Sequence, residues 1–335
     1  MRYLKSIFLF AFISVQFFHL NGQSSFQVAF YNVENLFDTI SDPNKYDKEF
    51  IPGTKTDWNS TRYWKKHKDL ARVFDSMDWP EIIGVSEVEN STVLKDLRKM
   101  MKGKKYDYVH YDAPDLRGID VGLLYQPKFM KVLSSTNIFV PLPDADTLIP
   151  TRDILYVEGK IKSSGDTLHI FVNHWPSRRG GEEASESKRM AAAKVLKTFI
   201  EQLWINKPNA SIIIMGDFND EPSNNSLKNE LLLASHPSNE ISLFNLSYQD
   251  HIEGKGSYNY RGKWNMLDQI IVSKSLSDNT GNWQVGSFEV FQREFMVYKG
   301  EKYGDAPNRT YGGPIYYGGI SDHFPVRVTL ERRGD

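Results

Sequence analysis

Six short apolar runs in this chain each carry an Asn, Glu, Asp or His at one end. The densest case is Gly216-Asp217-Phe218-Asn219-Asp220, directly after Ile212-Ile213-Ile214-Met215. Asp217 can orient or deprotonate a water, and Asn219 can donate to a phosphate oxygen; an Asx-type turn is the simpler alternative for the same five residues. The other five are Asn32 with Glu34 and Asn35 after residues 26–31, and Ser86-Glu87-Val88-Glu89-Asn90 after 82–85. To these add His174-Trp175-Pro176-Ser177-Arg178-Arg179 after 168–173, Asp268 within 267–272, and Ser321-Asp322-His323 before 324–330. Hard oxygen donors with few histidines favour magnesium, with manganese as substitute. Glu87 and Asp322 are the best candidate ligands. His174 and His323 offer proton transfer or phosphate stabilisation, and each needs an orienting partner, for which Asp268 and Asp120 are available carboxylates. The inventory suits attack by water on a phosphodiester or phosphomonoester.

Something must bring six segments spread over three hundred residues to one place. Residues 26–31, 82–85, 121–125, 168–173, 212–215, 267–272 and 324–330 read as strands. Helical spacing of apolar residues predicts helices over 62–77, 91–101 (started by Ser91) and 184–204. Strands and helices interleave, but too unevenly for a clean series of parallel crossovers. The expected fold is therefore an α/β sandwich of four layers, with two mixed β-sheets packed face to face and flanked by helices. There is no internal repeat, low-complexity tract or linker, and residues 25–333 read as one catalytic domain. In layered folds strand ends on one rim converge on a common cleft.

The chain has 335 residues, 40% hydrophobic and 13% aromatic, enough for a substantial core. With no cysteine, disulfides, thiolate zinc sites and cysteine nucleophiles are excluded. Residues 1–22 have the layout of a secretory signal peptide: Arg2 and Lys5, an apolar stretch over 7–18, then Asn21-Gly22-Gln23-Ser24-Ser25. The expected location is secreted or periplasmic, with no membrane association beyond the leader, although an uncleaved anchor is the alternative. Without residues 1–22 the chain holds 39 basic and 42 acidic residues, so no global positive field draws it to nucleic acid.

In order along the chain, Asn32, Ser86-Glu87-Val88-Glu89, Asn173-His174-Trp175-Pro176, Gly216-Asp217-Phe218-Asn219-Asp220, Asp268 and Ser321-Asp322-His323 resemble the endonuclease/exonuclease/phosphatase superfamily, that of deoxyribonuclease I and exonuclease III. The resemblance covers nearly the whole chain after the leader and implies a four-layer sandwich with magnesium-dependent phosphoester hydrolysis. Carried over, it makes Glu87 the principal metal ligand, with Asn32 and Asp322 completing or supporting that shell. Asp217 would activate the water and Asn219 hold the scissile phosphate. His323 would face the phosphate, oriented by Asp268. His174 stands where the deoxyribonuclease-I branch has its leaving-group acid, and Asp120 would orient it. The expected activity is an extracellular nuclease acting on DNA or RNA, most simply a monomer with no stable protein partner. The alternative is a phosphatase or a phospholipid or inositol-phosphate phosphodiesterase on the same core.

Glu89 either supports a metal ligand from behind or faces solvent. Arg178 and Arg179 either grip a substrate phosphate or belong to a solvated loop. Asp220, beside Pro222, reads as a turn or helix-entry residue, and Lys65, Lys66 and Lys68 as a solvated helix face. His67, His110, His236 and His251 have no evident partner. Residues 303–319, rich in Tyr and Gly, are a substrate-side loop or a loop packed by its own aromatics.

Overall fold

The computed structural model describes residues 24–143, 150–231, 243–278 and 281–333; the leader and His236 lie outside them. In chain order the elements are β1 (Ser25–Leu36), α1 (Ser60–Ser76), β2 (Ile82–Val88), α2 (Ser91–Met100), β3 (Asp107–His110), β4 (Asp120–Tyr125), β5 (Met130–Ile138), β6 (Ile154–Ile161), β7 (Thr167–His174), α3 (Glu186–Asn206) and β8 (Ser211–Asp217). They continue with β9 (Leu243–Asn245), α4 (Tyr248–Ile252), β10 (Tyr258–Tyr260), β11 (Lys263–Asn265), β12 (Asp268–Ser273), β13 (Trp283–Val290), β14 (Val297–Gly300), β15 (Gly304–Pro307), β16 (Tyr311–Gly312), β17 (Ile315–Tyr316) and β18 (Val326–Arg332). Two six-stranded mixed sheets result, ordered β13-β18-β1-β2-β4-β3 and β5-β6-β7-β8-β12-β9.

Two-residue alternation builds the layers. In β8, Ile213 and Met215 face the core between the sheets, while Ile212 and Ile214 face a second core under α3 with Ala192, Ala193, Leu196 and Ile200. In β1, Phe26, Val28 and Phe30 point to the inter-sheet core, and Ala29, Tyr31 and Val33 to the core beneath α1 and α2. The layers are thus helices, sheet, sheet, helix, as the sequence predicts. No helix among the described residues is long and apolar enough to cross a membrane.

The helices also fix strand direction. Parallel strands need a long crossover, and α1 supplies it between β1 and β2, α3 between β7 and β8. The four strands ending in Asn32, Glu87, His174 and Asp217 therefore run the same way within each pair. The strands β12 and β18 are antiparallel to β8 and β1, so the residues that start them belong to the same rim: Asp268 lies opposite Asp217, and Asp322-His323 precedes β18. A chain of hydrogen bonds secures the second of these entries. Ser321 Oγ donates to Asn32 O (2.6 Å), and Phe324 N to Ser257 O (2.7 Å).

Local details depart from the sequence reading where a distant partner decides. The first helix is capped by Asn59, and the second by Asn90 rather than started by Ser91. Lys65 and Lys68 face solvent, but Lys66 is buried. Its Nζ donates to Thr310 Oγ1 (2.6 Å) and to the Glu34 carbonyl. His67 is buried between the carbonyls of Tyr63 and Val93. Asp220 is no simple turn residue: Arg189 Nε of α3 lies 2.6 Å from its Oδ1, and Ser226 Oγ donates to it at 2.6 Å, both wholly buried. Residues 303–319 form parts of two short hairpins, β14–β15 and β16–β17.

One buried histidine makes stability pH-dependent. His169 on β7 places Nδ1 2.8 Å from the Tyr156 hydroxyl, and burial, helped by Lys207, pushes its pKa from 6.5 down to about 4. The unfolded chain takes up a proton there that the folded chain refuses. This contribution is therefore complete above pH 6.5 and is lost as pH falls towards 4. Thermal unfolding at pH 7 and pH 5 is expected to show a smaller fall for His169→Gln than for the wild type; equal falls would remove His169 from the account.

Candidate active site

The rim residues meet, and the backbone bends to make them do so. A bulge interrupts the β1–β2 register between Asn32 and Leu36, and another interrupts β2–β4 between Ser86 and Val88. At these points Glu34, Asn35 and Glu87 adopt φ of 48°, 49° and 62°, and Asn219 after β8 adopts 50°. Non-glycine residues pay for such conformations, which persist where the surroundings impose them and concentrate at functional sites. The bulge turns Glu87 inward: its Oε2 accepts from Asn35 N (2.8 Å) and its Oε1 from Asn32 Nδ2 (3.2 Å). Gly216 is required for a different reason. A Cβ there would lie 2.5 Å from Asn173 O on the neighbouring parallel strand, so only glycine lets β7 and β8 bring His174 and Asp217 side by side.

Asp217 is the hub. Its Oδ2 accepts from Asn32 Nδ2 (3.0 Å) and faces His174 Nε2 at 3.6 Å and His323 Nε2 at 3.9 Å; its Oδ1 accepts from Asn219 N (2.9 Å). His323 Nδ1 is bonded to Asp268 Oδ2 at 2.6 Å, which leaves Nε2 for chemistry. Asp322 Oδ1 is 4.0 Å from that nitrogen. Asn219 gives one amide hydrogen to Trp175 O (3.0 Å), keeping the second available to a phosphate.

Burial divides the titrating groups. It pushes Asp217 upward, and it pushes Glu87 upward with help from the charge of Asp322. Burial would lower His323, but Asp268, and then Asp217 and Asp322, override it and hold the ring protonated well above the ordinary range. His174 goes the other way, lowered by burial and by the nearby Arg152, Arg117 and His323. The two histidines are pushed in opposite directions, a split that suits separate acid and base roles.

Two expected roles change. Asp120 does not orient His174. Its Oδ2 meets His110 Nε2 at 3.0 Å and its Oδ1 accepts from Ala113 N (3.0 Å), because the β3–β4 hairpin sets His110 opposite Gly122. His174 Nδ1 is buried without a protein partner. Arg178 neither grips phosphate nor lies in a solvated loop: it donates to Asn219 O (2.7 Å) and pairs with Glu182 at 3.1 Å, bracing the phosphate-side turn. Arg179 is exposed. Glu89 is buried and accepts from Asp38 N (2.6 Å), and burial raises it to about 8. His251 is paired with Ser223 Oγ (3.0 Å).

Four further residues of the site carried no signal in the sequence. Buried Arg152 donates to His174 O (3.1 Å) and Trp175 O and pairs with Asp115 at 3.3 Å, so it holds the peptide that presents His174. Tyr258 packs its ring 4.9 Å from that of His323, and Arg309 Nη2 lies 3.7 Å from Asp322 Oδ2. Each reaches the site through tertiary contact, Arg309 from within the 303–319 stretch.

The donor set fits a divalent metal. Glu87 and Asp322 offer hard carboxylate oxygens, and burial together with the charge of Asp322 raises Glu87, an environment that suits a cation. Asn32, expected in that shell, turns its amide nitrogen to Glu87 and Asp217 while its Oδ1 accepts from Glu34 N (3.0 Å), so it supports the two carboxylates and offers no ligand oxygen. Asp217, Asp268 and His323 also bring one donor atom each within 4.8 Å of one another, but Asp268 and His323 are already bonded to each other at 2.6 Å.

Fold and site together define a metal-dependent hydrolase of phosphoester bonds. The chain belongs to the endonuclease/exonuclease/phosphatase family, whose profile matches residues 27–332. Its structure is similar to that of a mannosyl-6-phosphatase from Bacteroides thetaiotaomicron, with a TM-score of 0.59 at 19% identity over 91% of this chain and 99% of the other. It is similar to a humanized TDP2 from D. rerio, with a TM-score of 0.58 at 14% identity over 92% and 99%. The human Nocturnin catalytic domain aligns with a TM-score of 0.54 at 17% identity over 92% and 95%. None of the curated proteins matches the chain.

Proposed function

We propose that this protein is an exported, magnesium-dependent phosphodiesterase that cleaves external nucleic acid. The observation that carries the chemistry is Asp217 Oδ2 standing 3.6 Å from His174 Nε2 and 3.9 Å from His323 Nε2, with Glu87 and Asp322 at the same two rings. Asp217, raised by burial, takes the proton of the attacking water as its oxygen bonds to phosphorus. Asn219 and the His323 cation hold the non-bridging oxygens against the charge that builds there. As the ester bond breaks, the leaving oxygen needs a proton, and of the two histidines His323 carries one to give. This moves the acid role expected of His174 to His323; His174, held by Arg152, positions the water or phosphate through Nε2. Glu87 and Asp322, braced by Asn32, would hold a magnesium ion, which would supply Lewis-acid polarisation of the phosphoryl group.

Export is supported by the layout of residues 1–22, and a nucleic acid substrate by the Gly-Asp-Phe-Asn-Asp-x-Pro form of the motif at 216–222 together with His174. Sugar phosphates are the competing substrates, since one similar structure is described as a mannosyl-6-phosphatase. The test is a substrate panel: single-stranded DNA, RNA, a hexose 6-phosphate and an inositol phosphate, each with magnesium or with EDTA. Acid-soluble nucleotides are expected with magnesium and none with EDTA. Phosphate release from the sugar or inositol ester with no cleavage of any nucleic acid overturns the substrate assignment.

A further inference from the structure

Beside the catalytic rim lies a cavity of about 490 Å³, walled by the β10–β11 and β14–β15 hairpins and by residues 308–317. It joins the rim at two places. Arg309 lines it and reaches Asp322 at 3.7 Å, and Asn259, in its wall, directly follows the Tyr258 that packs on His323. Four of the six exposed tyrosines among the described residues, Tyr260, Tyr298, Tyr303 and Tyr317, line this one cavity. Tyrosines so exposed gain nothing from the core, and their gathering at one mouth marks a surface that waits for flat apolar groups.

The charges of the lining select among such groups. Arg261 stands 5.2 Å from the ring centre of Tyr260, Lys302 stands 5.0 Å from that of Tyr303, and Arg309 closes the inner end, against the single acid Glu301. Cations interleaved with aromatic faces suit an anionic chain bearing planar rings. The Asn259 amide is committed within the wall: its Nδ2 donates to Asp305 O (3.3 Å) and its Oδ1 accepts from Gly262 N (2.9 Å).

We infer that this cavity is a nucleobase subsite, which stacks a base of the single-stranded nucleic acid whose neighbouring phosphate is cut. The inference rests on the nuclease reading above and specifies its substrate as unpaired strands, since a base held in a duplex cannot enter a cavity between tyrosines. The test compares kcat/KM for two substrates, a thymidine hexanucleotide and the same hexamer with every base removed, for the wild type and for the Tyr260→Ala/Tyr303→Ala variant. Loss of one stacked base is expected to cost about tenfold or more. The wild type is therefore expected to prefer the base-bearing hexamer by at least about tenfold, and the variant to lose most of that preference while keeping the wild-type melting temperature. Equal rates on the two hexamers, or a preference that survives in the variant, overturns the subsite and leaves the nuclease reading standing. Cleavage of neither hexamer overturns both.

Discussion

Asp217→Asn is expected to lower turnover of any accepted phosphoester by about a hundredfold to ten-thousandfold while leaving substrate affinity nearly unchanged. The amide preserves volume and its oxygen can still accept from Asn219 N, while the hydrogen bond from Asn32 Nδ2 is lost because an NH2 group replaces Oδ2. What it loses is a group able to take the water's proton. The loss should fall on kcat, because the step affected is chemical, while melting should fall only by what one buried hydrogen bond contributes. Turnover within about threefold of the wild type would show that water activation belongs elsewhere.

Asp268→Asn is expected to reduce turnover by a similar order, about a hundredfold or more, and to do so unevenly with pH. The 2.6 Å bond to Nδ1 fixes the ring of His323 and supplies the charge that, against burial, keeps the ring protonated. With an amide in its place that charge is gone, and the folded-state pKa of His323 falls. The protonated form then disappears at lower pH, so the variant should lose more activity at pH 8 than at pH 6 relative to the wild type. A purely structural role would depress both rates alike. The measurement is a pair of pH–rate profiles, and parallel profiles would reject a charge role for Asp268.

Most of the catalytic rim was legible because its residues sit at the ends of apolar runs, where type and position are both visible along the chain. Asn32, Glu87, His174, Asp217, Asn219, Asp268, Asp322 and His323 all belong to the one cleft. The sandwich was legible for the same reason, since period-two patterning in β1 and β8 sorts each side chain to one of two cores. Hidden were the contacts that only the fold creates. Lys66 is at the right spacing for a solvated helix face, yet it meets Thr310, 244 residues away. Asp220 pairs with Arg189 inside a helix whose polar residue gives no sign of burial. Asp120 was matched to His174 by motif order, but the short β3 strand puts His110 beside it instead. The bulges that aim Glu87 and Glu34 leave no mark either, because neither residue type announces a positive φ.

The central claim is that this rim hydrolyses a phosphoester by attack of water on phosphorus. The most direct measurement is cleavage in water enriched in ¹⁸O with magnesium present, followed by mass spectrometry of both products. The account predicts one ¹⁸O on the phosphate-bearing product per bond cut, none on the released hydroxyl, and no labelled product from Asp217→Asn over the same interval. Label on the hydroxyl product, or labelled phosphate formed as fast by the variant, would contradict it.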